Sequence, residues 1–125
     1  MNPSAVLLDT HVLIWILTED RDLKNVPWVH HQFLWIVSPL SLLETKFLLE
    51  KRKIAVELAG VLQDLKVDSR FRVDDVPLED LCLAAMDLSW TRDPFDRLLV
   101  AHSIARKIPF GTADRNIRRH YSNVV

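Results

Sequence analysis

Four acidic residues occupy positions from which their carboxylates could act together. Asp9 ends the apolar run of residues 4–9, and Asp114 follows a second run at residues 108–113. Glu44 and Asp96 each fall in the first turn of a predicted helix. In open α/β sheets, binding groups gather beyond the carboxyl ends of the strands. If the strands are neighbours, the four carboxylates approach one edge of the sheet.

Each of these acids also has an ordinary structural interpretation. Asp93 precedes a proline and suits a helix N-cap, which puts Asp96 at the third helical position, where an acid complements the helix dipole. Ser41 and Glu44 stand at capping-box spacing. Asp9 could be a turn or capping residue. The combination of the acids, rather than any one of them, therefore indicates chemistry.

Length and composition favour a single domain, residues 1–125, in the cytoplasm. Of the chain, 49% is hydrophobic, which is enough for a core, and only two glycines are present. No glycine-rich phosphate-binding motif occurs. No apolar run reaches the roughly 18 residues of a membrane span, and no basic segment of a signal peptide precedes residue 9. The lone Cys82 excludes an internal disulfide and fits a reducing compartment.

Charge is balanced overall but not locally. The net charge is −1, which argues against a general nucleic-acid coating protein. Residues 92–120 carry seven basic residues against three acids, a local balance of +4. If those three acids bind a metal ion, the remaining surface is basic and suits a phosphate backbone. A solvated basic face is the alternative.

Alternating apolar patterns predict an α/β fold with a mostly parallel sheet. Strands are predicted at residues 4–9, 33–37, 71–76 and 108–113, with an edge strand at 124–125. One helix is predicted to begin at residue 10, and a second is predicted in the segment that runs through residue 31. Further helices are predicted at 40–51, 54–65 and 78–88, from residue 94, and around 117–121. Cys82 is expected in the core, His102 in a structural or surface position, and Asp74 and Asp75 in solvent.

Carboxylates that share a cleft repel one another, and a hard divalent cation relieves the repulsion. Oxygen ligands favour Mg²⁺ or Mn²⁺ over zinc, and such ions promote hydrolysis of phosphodiesters. The hydroxyl of Thr112 could join the site, and Arg97 and Arg115 are placed to contact phosphate. These residues predict a metal-dependent phosphodiesterase.

The segments LLDTHVLIW, SLLE, RDPFDRLLVAHS and TADRNI occur in an order that resembles PIN-domain proteins, and most closely the VapC-type toxins of bacterial toxin–antitoxin pairs. The resemblance implies a three-layer α/β/α fold and an Mg²⁺- or Mn²⁺-dependent endoribonuclease that hydrolyses RNA. It also implies a cognate antitoxin in the active-site groove and a homodimer. The acids of the family correspond here to Asp9, Glu44, Asp96 and Asp114, while Asp93 either supports them or only caps its helix.

This chain departs from the family pattern at three positions. Lys107 stands where glycine is common, Gly111 where an apolar strand residue is common, and Pro39 interrupts the start of the Glu44 helix. Two alternatives to the ribonuclease stay open, a nuclease acting on structured DNA and a catalytically inactive partner-binding module of the same fold. A phosphoacceptor signalling domain fits poorly, because residues 54–62 lack its second strand-end aspartate.

Overall fold

A four-stranded parallel sheet forms the centre of the computed structural model, which describes residues 4–31 and 33–125. Its strands lie in the order β3-β2-β1-β4, and every neighbouring pair is parallel. The strands are β1 Ala5–Leu8, β2 Leu34–Val37, β3 Phe71–Val73 and β4 Phe110–Gly111. This architecture confirms the prediction of a mostly parallel α/β sheet. The expected edge strand is a single bridge between Phe110 and Val124.

Six α-helices surround the sheet within these described residues. They are α1 Thr10–Thr18, α2 Pro39–Glu50, α3 Leu58–Val67, α4 Leu78–Ala85, α5 Pro94–Arg106 and α6 Arg115–His120. None of the helices described is long and apolar enough to span a membrane. The helix expected from residue 54 begins only at Leu58.

The single helix expected to run through residue 31 is wrong. Two short 3₁₀ segments, Arg21–Asn25 and Pro27–His30, occupy this region. Asp20 caps the first segment, and Val26, which adopts a non-helical conformation, separates the two. Pro27 lacks the N–H that a continuous helix would need at this point.

β1, β2 and β4 are largely buried on both faces, as their apolar sequences predict, whereas only Phe71 of β3 is buried. On one face, Val6 and Leu8 of β1 pack in a cluster with residues of β2, β3, α1 and α3. On the other face, Leu7 packs with Ile36, Phe110 and residues of α5 and α6. Helices therefore cover the sheet from both sides, which confirms the three-layer fold.

The order of the strands places the ends of β1 and β4 side by side. The chain leaves β1 towards β2 and β3, and then crosses back to β4 on the opposite side of β1. The N–H of Asp9 donates to the carbonyl of Gly111 across this pair at 2.9 Å. Such a reversal of strand order opens a crevice at the carboxyl ends of a parallel sheet. Asp9 and Asp114 both follow strands at this crevice.

The start of α2 differs from the capping box expected at Ser41. Ser38 is the N-cap, because its hydroxyl accepts from the N–H of Leu40 at 3.2 Å. Pro39 then occupies the first helical position, where the missing N–H costs nothing. Pro39 therefore starts the helix instead of interrupting it. As a consequence, Ser41 lies inside α2, and Glu44 falls in its second turn rather than its first.

Two further expectations about side chains are wrong. Cys82 is exposed, because only part of the apolar pattern of α4 faces the core: Leu81 and Ala85 are buried. Asp74 is not a solvated acid, since it accepts from Nε2 of His102 and from Nε of Arg106, each at 2.8 Å. His102 is fully buried, as its structural interpretation predicts.

The remaining departures from the family pattern have local explanations. A Cβ at Gly111 would lie 2.8 Å from Cζ2 of Trp28 and 2.9 Å from a methyl group of Val6, so the Trp28 ring takes the space of a larger side chain. Lys107 ends α5 in the left-handed region with a φ of 56°. Glycine reaches this conformation without the steric strain that a Cβ causes.

Replacing Lys107 with glycine should therefore stabilise the protein. We expect Lys107→Gly to raise the free energy of unfolding by about 1 kcal/mol, measured by urea denaturation. Lys107→Ala is the matched control, because it removes the charge but keeps the Cβ, and its effect should stay within about 0.5 kcal/mol. A Gly variant no more stable than the Ala variant would contradict the strain at this position.

Candidate active site

An acidic cleft of about 380 Å³ lies at the carboxyl edge of the sheet. The structure brings the four acids predicted from the sequence, together with Asp93, into this one cleft. We call it the acidic cleft, and its lining residues are Asp9, His11, Glu44, Phe47, Leu48, Lys51, Lys53, Asp93, Asp96 and Asp114. Five of these ten residues are acids, so the cleft concentrates negative charge.

Asp9 is buried and held on both carboxylate oxygens. Its Oδ1 accepts from the N–H of Thr10 at 2.8 Å, which caps α1. Its Oδ2 accepts from the hydroxyl of Thr112 at 2.6 Å. Burial raises the pKa of Asp9, while the Thr112 hydrogen bond is the largest opposing influence.

Thr112 links the two strand-end acids. Its hydroxyl donates to Asp9 and accepts from the N–H of Asp114 at 3.0 Å. The side chain is buried, so water competes little for these contacts. The hydroxyl thus fixes Asp9 relative to the start of α6, which Asp114 caps by accepting from the N–H of Ile117 at 2.9 Å.

Glu44 is buried, and its Oε1 finds no hydrogen-bond partner among the described residues. One turn earlier in α2, the hydroxyl of Ser41 accepts from the hydroxyl of Thr10 at 2.9 Å, which ties α2 to the start of α1. Burial raises the pKa of Glu44, and the charges of Asp9 and Asp93 add to the increase. A buried oxygen without a partner carries a desolvation cost that a bound cation would remove.

The two aspartates at the start of α5 have different roles, helix capping and lining of the cleft, which the sequence alone did not separate. Asp93 is the N-cap, because its Oδ1 accepts from the N–H groups of Phe95 at 2.9 Å and Asp96 at 3.2 Å. Asp96 lies in the first turn, as predicted, and faces the acidic cleft. Burial, followed by the charge of Asp93 and those of the other cleft acids, raises the pKa of Asp96 to about 7.

The acidic cleft fits a hard divalent cation in its chemistry. Its donors are carboxylate oxygens, and one of them, Oε1 of Glu44, has no hydrogen-bond partner within residues 4–31 and 33–125. Burial, and after it the charges of neighbouring acids, raises the pKa values of Asp9, Glu44 and Asp96, so a bound cation would stabilise their charged forms. Over the described ranges, however, no three His, Cys, Asp or Glu side chains are already grouped to hold one ion. The carboxylates share a cleft without forming a preformed coordination shell.

The two arginines predicted to contact phosphate lie outside the acidic cleft. The guanidinium of Arg97 donates to the carbonyl of Ala85 at 3.0 and 3.3 Å and to that of Met86 at 3.4 Å, at the end of α4. Arg115 is exposed and lines a neighbouring groove that contains Trp15. The structure thus places Arg97 in a structural contact and leaves Arg115 available to solvent.

His11 and Phe47 line the acidic cleft, although the sequence pattern did not single them out. His11 follows the Asp9–Thr10 helix start, so it projects from the first turn of a helix whose cap is already a site residue. Phe47 stands three residues after Glu44 in α2. Its side chain is 42% exposed, at the rim of the cleft.

Comparisons with known proteins agree over nearly the whole chain. The family model of the PIN domain matches residues 6–123. Ribonuclease VapC22 of Mycobacterium tuberculosis (strain ATCC 25618 / H37Rv) is 31% identical over 121 residues, which cover 94% of this chain and 92% of that protein.

Solved structures share the fold. The toxin–antitoxin complex from Klebsiella pneumoniae has a TM-score of 0.69 at 15% identity, covering 96% of this chain and 95% of that chain. VapBC2 from Rickettsia felis, bound to a DNA fragment from their promoter, has a TM-score of 0.64 at 16% identity, covering 97% and 96%.

The pKa of Asp96 predicts how stability depends on pH. The folded protein keeps the Asp96 proton up to about pH 7, whereas the unfolded chain loses it near the ordinary value of 3.8, so this group lowers stability as pH rises between the two. In EDTA, we expect Asp96→Asn to raise the free energy of unfolding by about 1–2 kcal/mol at about pH 8, after allowing for solvent screening, and by less at about pH 5.

Urea denaturation at the two pH values measures this difference. The control is Asp87→Asn, which neutralises an exposed acid outside the acidic cleft and should show no gain that grows with pH. An equal effect of Asp96→Asn at both pH values would show that Asp96 is not under electrostatic strain.

Proposed function

Because this chain belongs to the PIN-domain family, as its motifs indicated, we propose that it is a metal-dependent endoribonuclease acting as the toxin of a toxin–antitoxin pair. One observation carries the proposal: Asp9, Glu44, Asp96 and Asp114 line one cleft, and the buried Oε1 of Glu44 has no hydrogen-bond partner among the described residues. RNA is the proposed substrate because the 31% identical relative is named a ribonuclease.

Four side chains, Asp9, Glu44, Asp96 and Asp114, would hold Mg²⁺ or Mn²⁺. When bound, the ion would supply Lewis acidity and positive charge at the scissile phosphodiester. The chain's own residues then position and tune these ligands. Thr112 orients Asp9 through a hydrogen bond to one oxygen, and Asp93 caps α5 so that Asp96 starts its helix facing the cleft. The reaction is hydrolysis, in which an oxygen from water bonds to phosphorus as one phosphate ester bond breaks.

Positive charge at the rim suits the polyanionic substrate. Lys51 and Lys53 line the same cleft as the acids, at the end of α2. Lys51 also lies 5.0 Å from the ring centroid of Phe47, which keeps its side chain near the cleft. Both ammonium groups are therefore placed to attract a phosphate backbone to a site whose centre is negative.

Cleavage of RNA by the wild type and by Asp96→Asn tests this function. We expect the wild type to cut RNA with Mg²⁺ or Mn²⁺ and to stop in EDTA, and the Asn variant to lose about 100-fold or more of its activity. Asn removes the charge and leaves the Asp93 cap intact, so the variant should remain folded.

Asp87→Asn serves again as the matched control and should cut like the wild type. If Asp96→Asn cuts equally well, Asp96 is no ligand and the proposed site is wrong. If the wild type cuts DNA and not RNA, the alternative of a DNA nuclease replaces the ribonuclease. If it cuts neither and binds no Mn²⁺, the inactive partner-binding module is the better account.

We further propose that a cognate antitoxin covers the acidic cleft and that the toxin forms a homodimer. The solved structures with this fold include a toxin–antitoxin complex and the VapBC2 pair. The rim of the cleft offers apolar surface, since Phe47 is 42% exposed and contacts Phe95, and Leu43 on the same helix is 60% exposed. An apolar segment with a basic side chain would match this combination of apolar rim and acidic centre.

Co-expression with the product of any adjoining short reading frame tests the antitoxin. We expect a stable complex that elutes together in size-exclusion chromatography, and RNA cleavage that is suppressed in the complex and recovered when the partner is removed. Light scattering on the free toxin measures its mass and decides between monomer and dimer. A partner that binds without suppressing cleavage would contradict its placement over the acidic cleft.

A further inference from the structure

The acidic cleft continues past α1 into a second groove. A cavity of about 200 Å³ shares Asp9, His11 and Asp114 with the acidic cleft and extends to Trp15 and Ala113. Trp15 and Ala113 in turn line a groove of about 690 Å³ beside α6. The three spaces share lining residues, so a chain that occupies the acidic cleft can continue along this surface without leaving the protein.

The second groove differs chemically from the acidic cleft. Its lining includes Trp15, Trp28, Arg115 and Arg118. Among the described residues that line it, none is an aspartate or a glutamate. Arg118 donates to the carbonyls of Thr112 and Val125, at 3.1 and 2.6 Å, and so shapes the groove, while Arg115 is exposed to solvent. The groove, which we call the aromatic groove, combines indole rings with positive charge.

His11 and Trp15 mark the passage between the acidic cleft and the aromatic groove. They stand one turn apart on α1, with ring centroids 6.4 Å apart and planes tilted by 57°. His11 is exposed and lines both the cleft and the connecting cavity. Flat rings of this kind stack on nucleobases without regard to sequence, and arginine beside them contacts the backbone.

We propose that the aromatic groove binds single-stranded RNA next to the cleaved bond, with a base against Trp15 and His11 and a neighbouring phosphate on Arg115. This inference rests on the proposed function and adds to it the residues that hold the nucleotides beside the cleaved bond and the path of the strand across the protein. A duplex does not offer an unstacked base to these rings, so single strands are preferred over paired RNA. The acids lie at one end of the path, and the nucleotide contacts extend from them towards α6.

Binding and cleavage are measured with a short, unstructured, fluorescently labelled RNA. Fluorescence anisotropy in EDTA gives the dissociation constant, and kinetics with Mn²⁺ give kcat and KM. We expect His11→Ala and Arg115→Gln each to raise the dissociation constant and KM by about tenfold, with kcat changed much less. Matched controls are His30→Ala and Arg119→Gln, which alter exposed residues outside all three spaces and should leave the binding of RNA unchanged.

Trp15 needs a separate design, because its ring also packs against the core. Trp15→Phe keeps an aromatic face and should retain most of the affinity, whereas Trp15→Leu should lose about tenfold, with thermal melting used to select conditions in which both are folded. An RNA in which one nucleotide is abasic, moved along the sequence, locates the contact. With the wild type, an abasic nucleotide at one position beside the cleaved bond should weaken binding. With Trp15→Leu, an abasic nucleotide at that position should bind no more weakly than one elsewhere.

Several outcomes separate this inference from the proposed function. If the wild type cuts RNA but the variants and abasic substrates bind as the wild type and intact RNA do, the aromatic groove is not the nucleotide site and the nuclease stands. If paired RNA binds as tightly as single strands, the stacking contact is also wrong. Should the wild type cut no RNA, the anisotropy measurements still decide whether this groove binds RNA.

Discussion

Several carboxylates share one cleft at the edge of the sheet, partly out of water. The repulsion between their negative charges shapes the surrounding structure. Three helices begin at the acidic cleft, and their N-caps are Asp9, Asp93 and Asp114. The N–H groups at these helix starts give positive partial charge where the acids are most crowded. The backbone therefore offsets part of the repulsion. Burial and the charges of the neighbouring acids nevertheless raise the pKa of Asp96 to about 7, so the helix starts do not offset these effects completely.

Helix capping and metal binding are therefore not competing interpretations of the same residues. Asp114 uses one oxygen to cap α6 and still lines the cleft, and Asp93 caps α5 while it raises the pKa of its neighbour Asp96. Glu44 is the exception, because it caps nothing and lies in the second turn of α2. Its Oε1 is buried and has no hydrogen-bond partner in the part of the chain that the structure describes, which a structural interpretation explains least.

Sequence patterns predicted the parallel sheet and the acids at two strand ends because both follow from local signals. Apolar runs that end in Asp9 and before Asp114 predict two strand ends, but they do not show that the strands are neighbours. The hydrogen bond from the N–H of Asp9 to the carbonyl of Gly111 shows that these ends meet. Contacts between distant side chains have no such signal. The turn of Arg97 towards the carbonyls of α4 depends on how α4 and α5 pack, and the fit of Trp28 over Gly111 joins segments far apart in the chain.

Local patterns also failed where two signals competed. Ser41 has the spacing of a capping box, but Ser38 followed by Pro39 is the stronger helix start. α4 has more apolar residues than can face the core. Cys82 therefore lies on its exposed side, beside Leu83. Hydrophobic periodicity identifies such a helix without showing which of its apolar residues the neighbouring helix covers.

Asp93 and Asp114 both cap a helix and line the acidic cleft, and this combination has an evolutionary consequence. An asparagine caps a helix about as well as an aspartate but carries no charge. One nucleotide change converts an aspartate codon to an asparagine codon. At Asp114 or Asp93, such a change keeps the helix start and removes negative charge from the cleft. A single base change could therefore give a protein that still folds and keeps the same rim but carries one negative charge fewer in the acidic cleft.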